Sequence, residues 1–175
     1  MSETTGHGLP GRAAEAAGTP RTATRFAVAG ALATLAMTAF MVVAFRRLPR
    51  RERYPLPPRL ITDRVRRALG LRQLPGPLPG VLTLIAHIGF GGAAAVPLAA
   101  YPTRSMLAAC GSGVVHGLAV WTAAYLGALP AAGILRPATE HPRGRVALMV
   151  GAHVVWGAAT GLIEHALRGR QRSRR

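Results

Sequence analysis

The sequence predicts an all-α, polytopic membrane protein with four transmembrane helices. Half of the 175 residues are hydrophobic and only 16% are charged. The apolar residues are gathered in four runs, each long enough to cross the roughly 30 Å hydrocarbon core of a bilayer, while most charged residues lie between or beyond the runs. A soluble domain spreads its charges over its surface, so this segregation is typical of a helical membrane protein.

The chain divides into two tails and a four-helix domain over residues 23–169. Residues 1–22 are rich in small and polar residues without apolar periodicity and are predicted to be disordered, and 170–175 form a basic tail. The first span runs into Arg46 and Arg47 without a small-residue cleavage site, so we expect it to remain as an anchor. The predicted spans are about 26–45, 81–100, 106–129 and 146–167.

Two features define how the later spans are connected. The short segment 101–105 joins the second and third spans and forces them to run antiparallel. Pro130 is expected to end or kink the third helix, because proline lacks an amide N–H. The stretch up to Arg145 contains further Pro and Gly residues and is expected to close as a surface loop.

The Arg-rich connection 46–80 is predicted to contain a short amphipathic interfacial helix. Tyr54 to Pro58 are expected to be extended, and Thr62 or Asp63 is expected to cap the helix. Its apolar face consists of Ile61, Val65 and Leu69. The basic residues that we expect to contact lipid headgroups are Arg64, Arg66 and Arg67. A solvated connector is the alternative interpretation.

Small residues at four-residue spacing predict where the helices touch. Such residues form grooves that let two backbones approach closely in lipid, where water does not drive helices together. The spacing does not decide whether the grooves serve the internal bundle or a homo-oligomer. The predicted helix-packing residues are Gly91, Gly113, Gly117, Gly157 and Gly161.

A ten-residue block occurs twice, as 86–95 in the second span and as 152–161 in the fourth. Each copy places a histidine one helical turn before a glycine, His87 before Gly91 and His153 before Gly157. The second and fourth spans run in the same direction. The repeat therefore predicts two similarly oriented helical hairpins related by a pseudo-twofold axis along the membrane normal.

The intramembrane polar residues are the candidate site. His87, His116 and His153 are predicted to face the bundle interior as a polar cluster, because an unpaired imidazole is unfavourable in hydrocarbon. Interhelical hydrogen bonds, a proton or ion pathway and haem ligation by His87 and His153 are three competing roles. We expect no cofactor or metal. Glu164, near the opposite surface, is expected to reach headgroups or Arg168.

The charge of the chain points to lipid and not to nucleic acid. The formal net charge is +16, and every basic residue other than histidine is an arginine. No basic stripe with interleaved aromatic residues is present, so the expected partners are the bilayer and anionic headgroups. Zinc-hydrolase and serine-triad patterns are also absent, and the chain is not predicted to be an enzyme.

The arginine distribution predicts the orientation. Nine arginines lie in the tails and the short loop, and thirteen lie in the two longer connections. The positive-inside rule therefore favours cytoplasmic connections and external tails, although the arginine cluster after Leu167 favours the opposite orientation. Dual insertion is left open.

Several short motifs between Ala29 and Gly161 resemble, in the same order, the YagU-like family of bacterial inner-membrane proteins. The resemblance implies a multi-pass protein of the cytoplasmic (inner) membrane, and it supplies no reaction, ligand or catalytic residue. We expect a structural or interaction role in the cell envelope, with a small transporter or proton-conducting unit as the alternative. The matching motifs are 29–38, 56–62, 117–121, 125–130 and the two histidine-containing repeats.

Overall fold

The computed structural model describes residues 19–71, 74–101 and 103–173, and no strand occurs within these ranges. Four helical segments are long and apolar enough to cross a membrane, and they confirm the predicted four long apolar helices: Pro20–Arg47, Leu78–Ala100, Met106–Ala131 and Arg143–Gln171. The α-helices are α1 (Pro20–Arg47), α2 (Pro57–Ala68), α3 (Leu78–Ala95), α4 (Met106–Thr122) and α5 (Arg143–Arg172).

Both predicted tails are shorter than the sequence indicated. Pro20 occupies the first turn of α1, so the helix already includes residues 20–22 of the expected tail. Proline favours this position because its fixed φ suits the helix and the first turn needs no amide donor. At the other end α5 continues to Arg172. Residues 1–18, 174 and 175 of the predicted tails lie outside the described residues.

Prolines also shape the ends of α3 and α4. A 3₁₀ turn over Val96–Ala100, which contains Pro97, extends α3. A π-helical turn over Ala123–Ala128 follows α4, and the helix ends at Ala131, one residue after Pro130. Pro130 cannot donate the usual hydrogen bond to the carbonyl one turn earlier, which accounts for the expected end at this point.

The predicted start of α2 is wrong by one to two turns. The helix begins at Pro57, and only Tyr54 to Leu56 of the proline-rich stretch lie outside it; Leu56 is extended at the N-cap. Pro57 and Pro58 fill the first turn, where the missing N–H groups are not needed, so they start the helix instead of preventing it. Thr62 then lies inside the helix and donates to the Pro58 carbonyl over 2.8 Å.

Contacts link the four long helices in the order α3, α1, α5, α4. α1 packs against both α3 and α5, α5 packs against α4, and α2 lies on α3. α3 and α4 run antiparallel, as the short segment 101–105 predicts. Direct contacts between them are few: the 3₁₀ turn after α3 touches α4, and a side chain of α4 bonds the α3 backbone.

The crossing of α4 with α5 is a backbone-to-backbone contact. A Cβ atom added at Gly113 would overlap the Gly157 carbonyl oxygen, and one at Gly117 would overlap the His153 carbonyl. A Cβ atom at Gly161 would overlap the carbonyl of Ala109. Only glycine permits this approach, which gains van der Waals contact along three consecutive turns.

The crossing of α1 with α3 uses the same kind of surface. A Cβ atom at Gly30 would overlap the Gly91 carbonyl oxygen, and one at Gly91 would overlap the Thr34 hydroxyl. Trp156 of α5 joins this crossing, since its indole N–H donates to the Gly30 carbonyl over 3.1 Å. α1 is therefore held by α3 on one side and by α5 on the other.

Two glycines on α4 give a matched test of this packing. Gly113→Ala is expected to lower the free energy of unfolding by about 1–3 kcal/mol, because the added methyl group must displace the α5 backbone. Gly111 has open space around its Cβ position, so Gly111→Ala is expected to cause no loss. Unfolding in mixed detergent followed by circular dichroism measures both. Equal stability of the two variants would contradict the close crossing.

Candidate functional site

A cavity of about 260 Å³ lies in the gap between α3 and α4. α1 and α5 form its back wall, and α2 covers one end. Its lining is mainly apolar, with three methionines and several small residues. Lining residues from α1, α3, α4 with its extension and α5 include Met37, Met41, His87, Phe90, Gly91, Ala94, Val120, Tyr125, Met149, His153 and Trp156.

The cavity follows from the helix arrangement and from side-chain size. α3 packs on α1 and α4 packs on α5 more closely than α3 and α4 pack on each other, and small residues such as Ala94 and Ala124 line the gap. Pro57 and Ile61 of α2 lie over the end nearest the Arg-rich connection. Phe90 is 61% exposed and lines the cavity where it opens to the side.

His87 and His153 both line this cavity, and each ring is held by a hydrogen bond at Nδ1. The His153 Nδ1–H donates to the Met149 carbonyl one turn earlier over 2.8 Å. His87 Nδ1 lies 3.4 Å from the hydroxyl of Thr38 on α1. That hydroxyl already donates to the Thr34 carbonyl over 2.7 Å, so it must accept from His87 Nδ1–H.

His116 does not join the other two histidines. Its Nε2–H donates to the Ala94 carbonyl of α3 over 2.7 Å, and its ring lies 6.0 Å from the Trp156 ring, centroid to centroid. This bond connects α4 to α3 across the gap that otherwise separates them. The structure thus places two of the three predicted histidines on one cavity and the third on a helix-to-helix bond. Among the described residues no group of three or more His, Cys, Asp or Glu side chains could hold a metal.

Tyr125 is a lining residue that the sequence pattern did not identify. It lies in the π-helical turn after α4, stacks on Trp121 at 5.9 Å and meets the His153 ring edge-on at 6.3 Å. It is 5% exposed, and neither its hydroxyl nor the Trp121 indole N–H has a partner in the described part of the chain. The α-helical period does not predict the direction of the Tyr125 side chain, because this residue lies in a π-helical turn.

Arg145 organises the connection side of the bundle, a role that the sequence did not predict. Its side chain, on the first turn of α5, is 3% exposed. The guanidinium donates to the carbonyls of Tyr54 at 2.8 Å and Pro55 at 2.7 Å, and it lies 3.9 Å from the centre of the Tyr54 ring. A longer bond of 3.4 Å reaches the Glu52 carbonyl. One arginine therefore ties the extended segment before α2 to α5.

The opposite end of the bundle carries an ion pair, and the expectation for Glu164 is wrong. Glu164 is 2% exposed and pairs with Arg25 of α1 at 3.2 Å, so it contacts neither solvent nor Arg168. Arg168 instead donates to the Thr103 carbonyl at 2.6 Å and to His165 at 3.0 Å. Glu164 thus pairs with an arginine on another helix and not with Arg168, four residues later on its own helix. Sequence spacing cannot reveal such a partner.

The three arginines expected at headgroups differ in their surroundings. Arg64 and Arg67 are exposed on α2. The Arg66 side chain is only 14% exposed and pairs with Asp63 at 3.2 Å. Arg66 therefore departs from the predicted set, because a carboxylate on the same helix neutralises it.

Comparison of the chain with family models, with curated proteins and with solved structures gives no match. The resemblance to YagU-like proteins therefore stays a prediction from the sequence.

Two arginines in the first turn of α5 test the role of the buried guanidinium. Arg145→Lys is expected to lower the free energy of unfolding by about 2–3 kcal/mol, because one ammonium group cannot replace charge-assisted bonds to several carbonyls. Arg143 is exposed, so Arg143→Lys is expected to change stability by less than about 0.5 kcal/mol. Thermal unfolding in detergent compares the two. A similar midpoint for both variants would argue against the anchoring role.

Proposed function

We propose that this chain is a multi-pass integral membrane protein with four transmembrane helices. The observation that carries the proposal is the spacing of charge along the helices. On α5, Arg145 and Glu164 are nineteen residues apart, which corresponds to roughly 29 Å at the helical rise per residue. On α1, Arg25 and Arg46 are separated by roughly 31 Å in the same way. Both spacings match the roughly 30 Å thickness of a bilayer core.

Arg46 and Arg145 lie at one end of the bundle and Arg25 and Glu164 at the other, and these two sets form two charged layers. The surface between the two charged layers supports the same proposal. The described helices carry no Asp, Glu, Lys or Arg between these layers. Their outward faces are apolar, and this surface surrounds the bundle instead of forming one patch, which is typical of contact with lipid. Exposed apolar side chains include Leu32, Leu35, Val42, Val43, Ile85, Phe90, Val115 and Leu126.

The position of α2 supports an interfacial location. Ile61, Val65 and Leu69 are exposed, while Arg64 and Arg67 are also free to reach outward. A helix with exposed apolar and basic groups at the level of the charged layer suits the headgroup region, with anionic lipids as partners.

The helix crossings support the proposal of two repeated hairpins, α1 with α3 and α4 with α5. In the first pair, His87 and Gly91 of α3 face Thr38 and Thr34 of α1. In the second pair, His153 and Gly157 of α5 face glycines of α4. In both cases the repeated block packs against the helix that precedes it in its hairpin, as a duplicated unit would.

We propose a structural or interaction role in the bacterial inner membrane, consistent with the resemblance to YagU-like proteins. The tight glycine crossings and the helix-end contacts of Arg25, Glu164 and Arg145 support a rigid bundle. A homo-oligomer is compatible with this role, since α4 leaves one face uncovered, with Val115 exposed.

Proton conduction or solute transport is the alternative role. It requires a connected polar path between the two charged layers. Within the described helices, His87, His116 and His153 each bond a different hydroxyl or carbonyl group, and the cavity that two of them line is mainly apolar. This separation favours the structural role.

Cysteine labelling tests the four spans. In a Cys110→Ser background, Ser173→Cys and Arg104→Cys are expected to lie on one side of the membrane, and Arg51→Cys and Thr139→Cys on the other. The longer connections carry more arginines and are therefore expected to be cytoplasmic. An impermeant maleimide reaches only external sites in intact spheroplasts, so it is expected to label only the first pair. Different labelling of the two sites within either pair would contradict the four spans, and labelling of all four sites before permeabilisation would contradict the single orientation.

Reconstitution separates the structural role from proton conduction. Liposomes containing the purified protein and an internal pH dye are expected to acidify no faster than protein-free liposomes under an imposed potential. Proton flux that His153→Gln abolishes, while the unfolding midpoint is unchanged, would support conduction instead. His165→Gln, near the end of α5, is the matched control because His165 lies outside the cavity.

A further inference from the structure

We propose that the cavity between α3 and α4 binds an apolar molecule that carries a hydroxyl group. The binding chemistry is independent of the proposed membrane role, and only the expected access from lipid rests on it. Two imidazoles and the apolar walls together define the class of ligand.

The hydrogen bonds at Nδ1 determine what the two imidazoles offer to a ligand. His153 Nδ1–H donates to Met149, and His87 Nδ1–H donates to Thr38. In a neutral ring the proton on Nδ1 leaves Nε2 as an acceptor. Neither Nε2 atom has a partner among the described residues, so both cavity histidines present acceptors that need a donor.

A hydroxyl group is the donor that suits this site. Alcohols and phenols donate one hydrogen bond, whereas ketones, ethers and esters bring only acceptors. The lining includes no arginine or lysine, so the site does not select an anion.

The shape of the cavity predicts a small or elongated molecule that reaches it from the side. Its volume of about 260 Å³ is close to the lower end of ligand pockets, roughly 300 Å³. The His116 bond to Ala94 joins α3 and α4 on one side of the cavity, and α2 covers the end near the Arg-rich connection. Phe90 and Ala86 of α3 line the cavity and are exposed, so a ligand that enters beside them comes from lipid in the proposed membrane arrangement.

Fluorescence quenching in detergent tests the proposal. Trp121→Phe leaves Trp156, a cavity residue, as the only tryptophan. Bromododecanol and bromododecane, each brominated on the chain, are then titrated as quenchers. The alcohol is expected to quench at about tenfold lower concentration than the alkane, which corresponds to one hydrogen bond of about 1.4 kcal/mol.

Variants and a ligand analogue assign the preference to the imidazoles. In the same background, His87→Phe combined with His153→Phe is expected to remove the tenfold preference, while His165→Phe keeps it. A bromododecyl methyl ether, which has the oxygen but no donor, is expected to behave like the alkane with the unsubstituted histidines. This comparison needs no histidine variant and therefore holds even if the double variant fails to fold.

Three outcomes would overturn the proposal: equal quenching by the alcohol and the alkane, a preference that persists in a folded double variant, or no quenching by either probe. Because the assay uses purified protein in detergent, a negative result leaves the labelling pattern of the proposed membrane spans unaffected. The proposal of a ligand site and the proposal of four membrane spans can therefore be rejected independently of each other.

Discussion

Where α4 crosses α5, glycines on both helices bring the two backbones into direct contact, and Gly30 and Gly91 do the same for α1 and α3. These crossings set the distances between the helices, since one methyl group would force a backbone to move. Trp156 then joins the two pairs through its bond to the Gly30 carbonyl. α3 and α4 make few direct contacts with each other, and the cavity is the space between them.

The helix arrangement also determines where the polar groups lie. At the two ends of the bundle, Arg25 pairs with Glu164 and Arg145 with backbone carbonyls, whereas the buried Glu52 keeps one carboxylate oxygen, Oε2, without a partner in the described part of the chain. Between these ends the interior holds hydroxyls and imidazoles, which burial penalises less than full charges. The His116 bond crosses the gap between α3 and α4, while His87 and His153 each keep one acceptor on the cavity wall. The bundle is thus closely packed where the helices cross and leaves a cavity between α3 and α4.

The candidate site was only partly predictable. The histidines were found because imidazoles are conspicuous in an apolar run, and the packing glycines because their four-residue spacing is a property of one helix. The grouping of His87 with His153, and not with His116, depends on which helices are neighbours. Tyr125 lies in a π-helical turn, so its direction does not follow from the period of an α-helix. Nothing in the sequence distinguishes Arg145 from the other arginines of the connections, because its partners are carbonyls that the fold brings beside it from Tyr54 and Pro55.

By itself the sequence determined the four long apolar helices, their approximate limits and the faces on which small residues lie, because these depend on local composition and on the helical period. It misplaced the start of α2 and the partner of Glu164, where prolines in a first turn and an arginine 139 positions away decided the outcome. Only the tertiary structure decided the order α3, α1, α5, α4 and the cavity that results. Helix order depends on which small-residue surfaces meet, and several surfaces of similar composition compete for each partner.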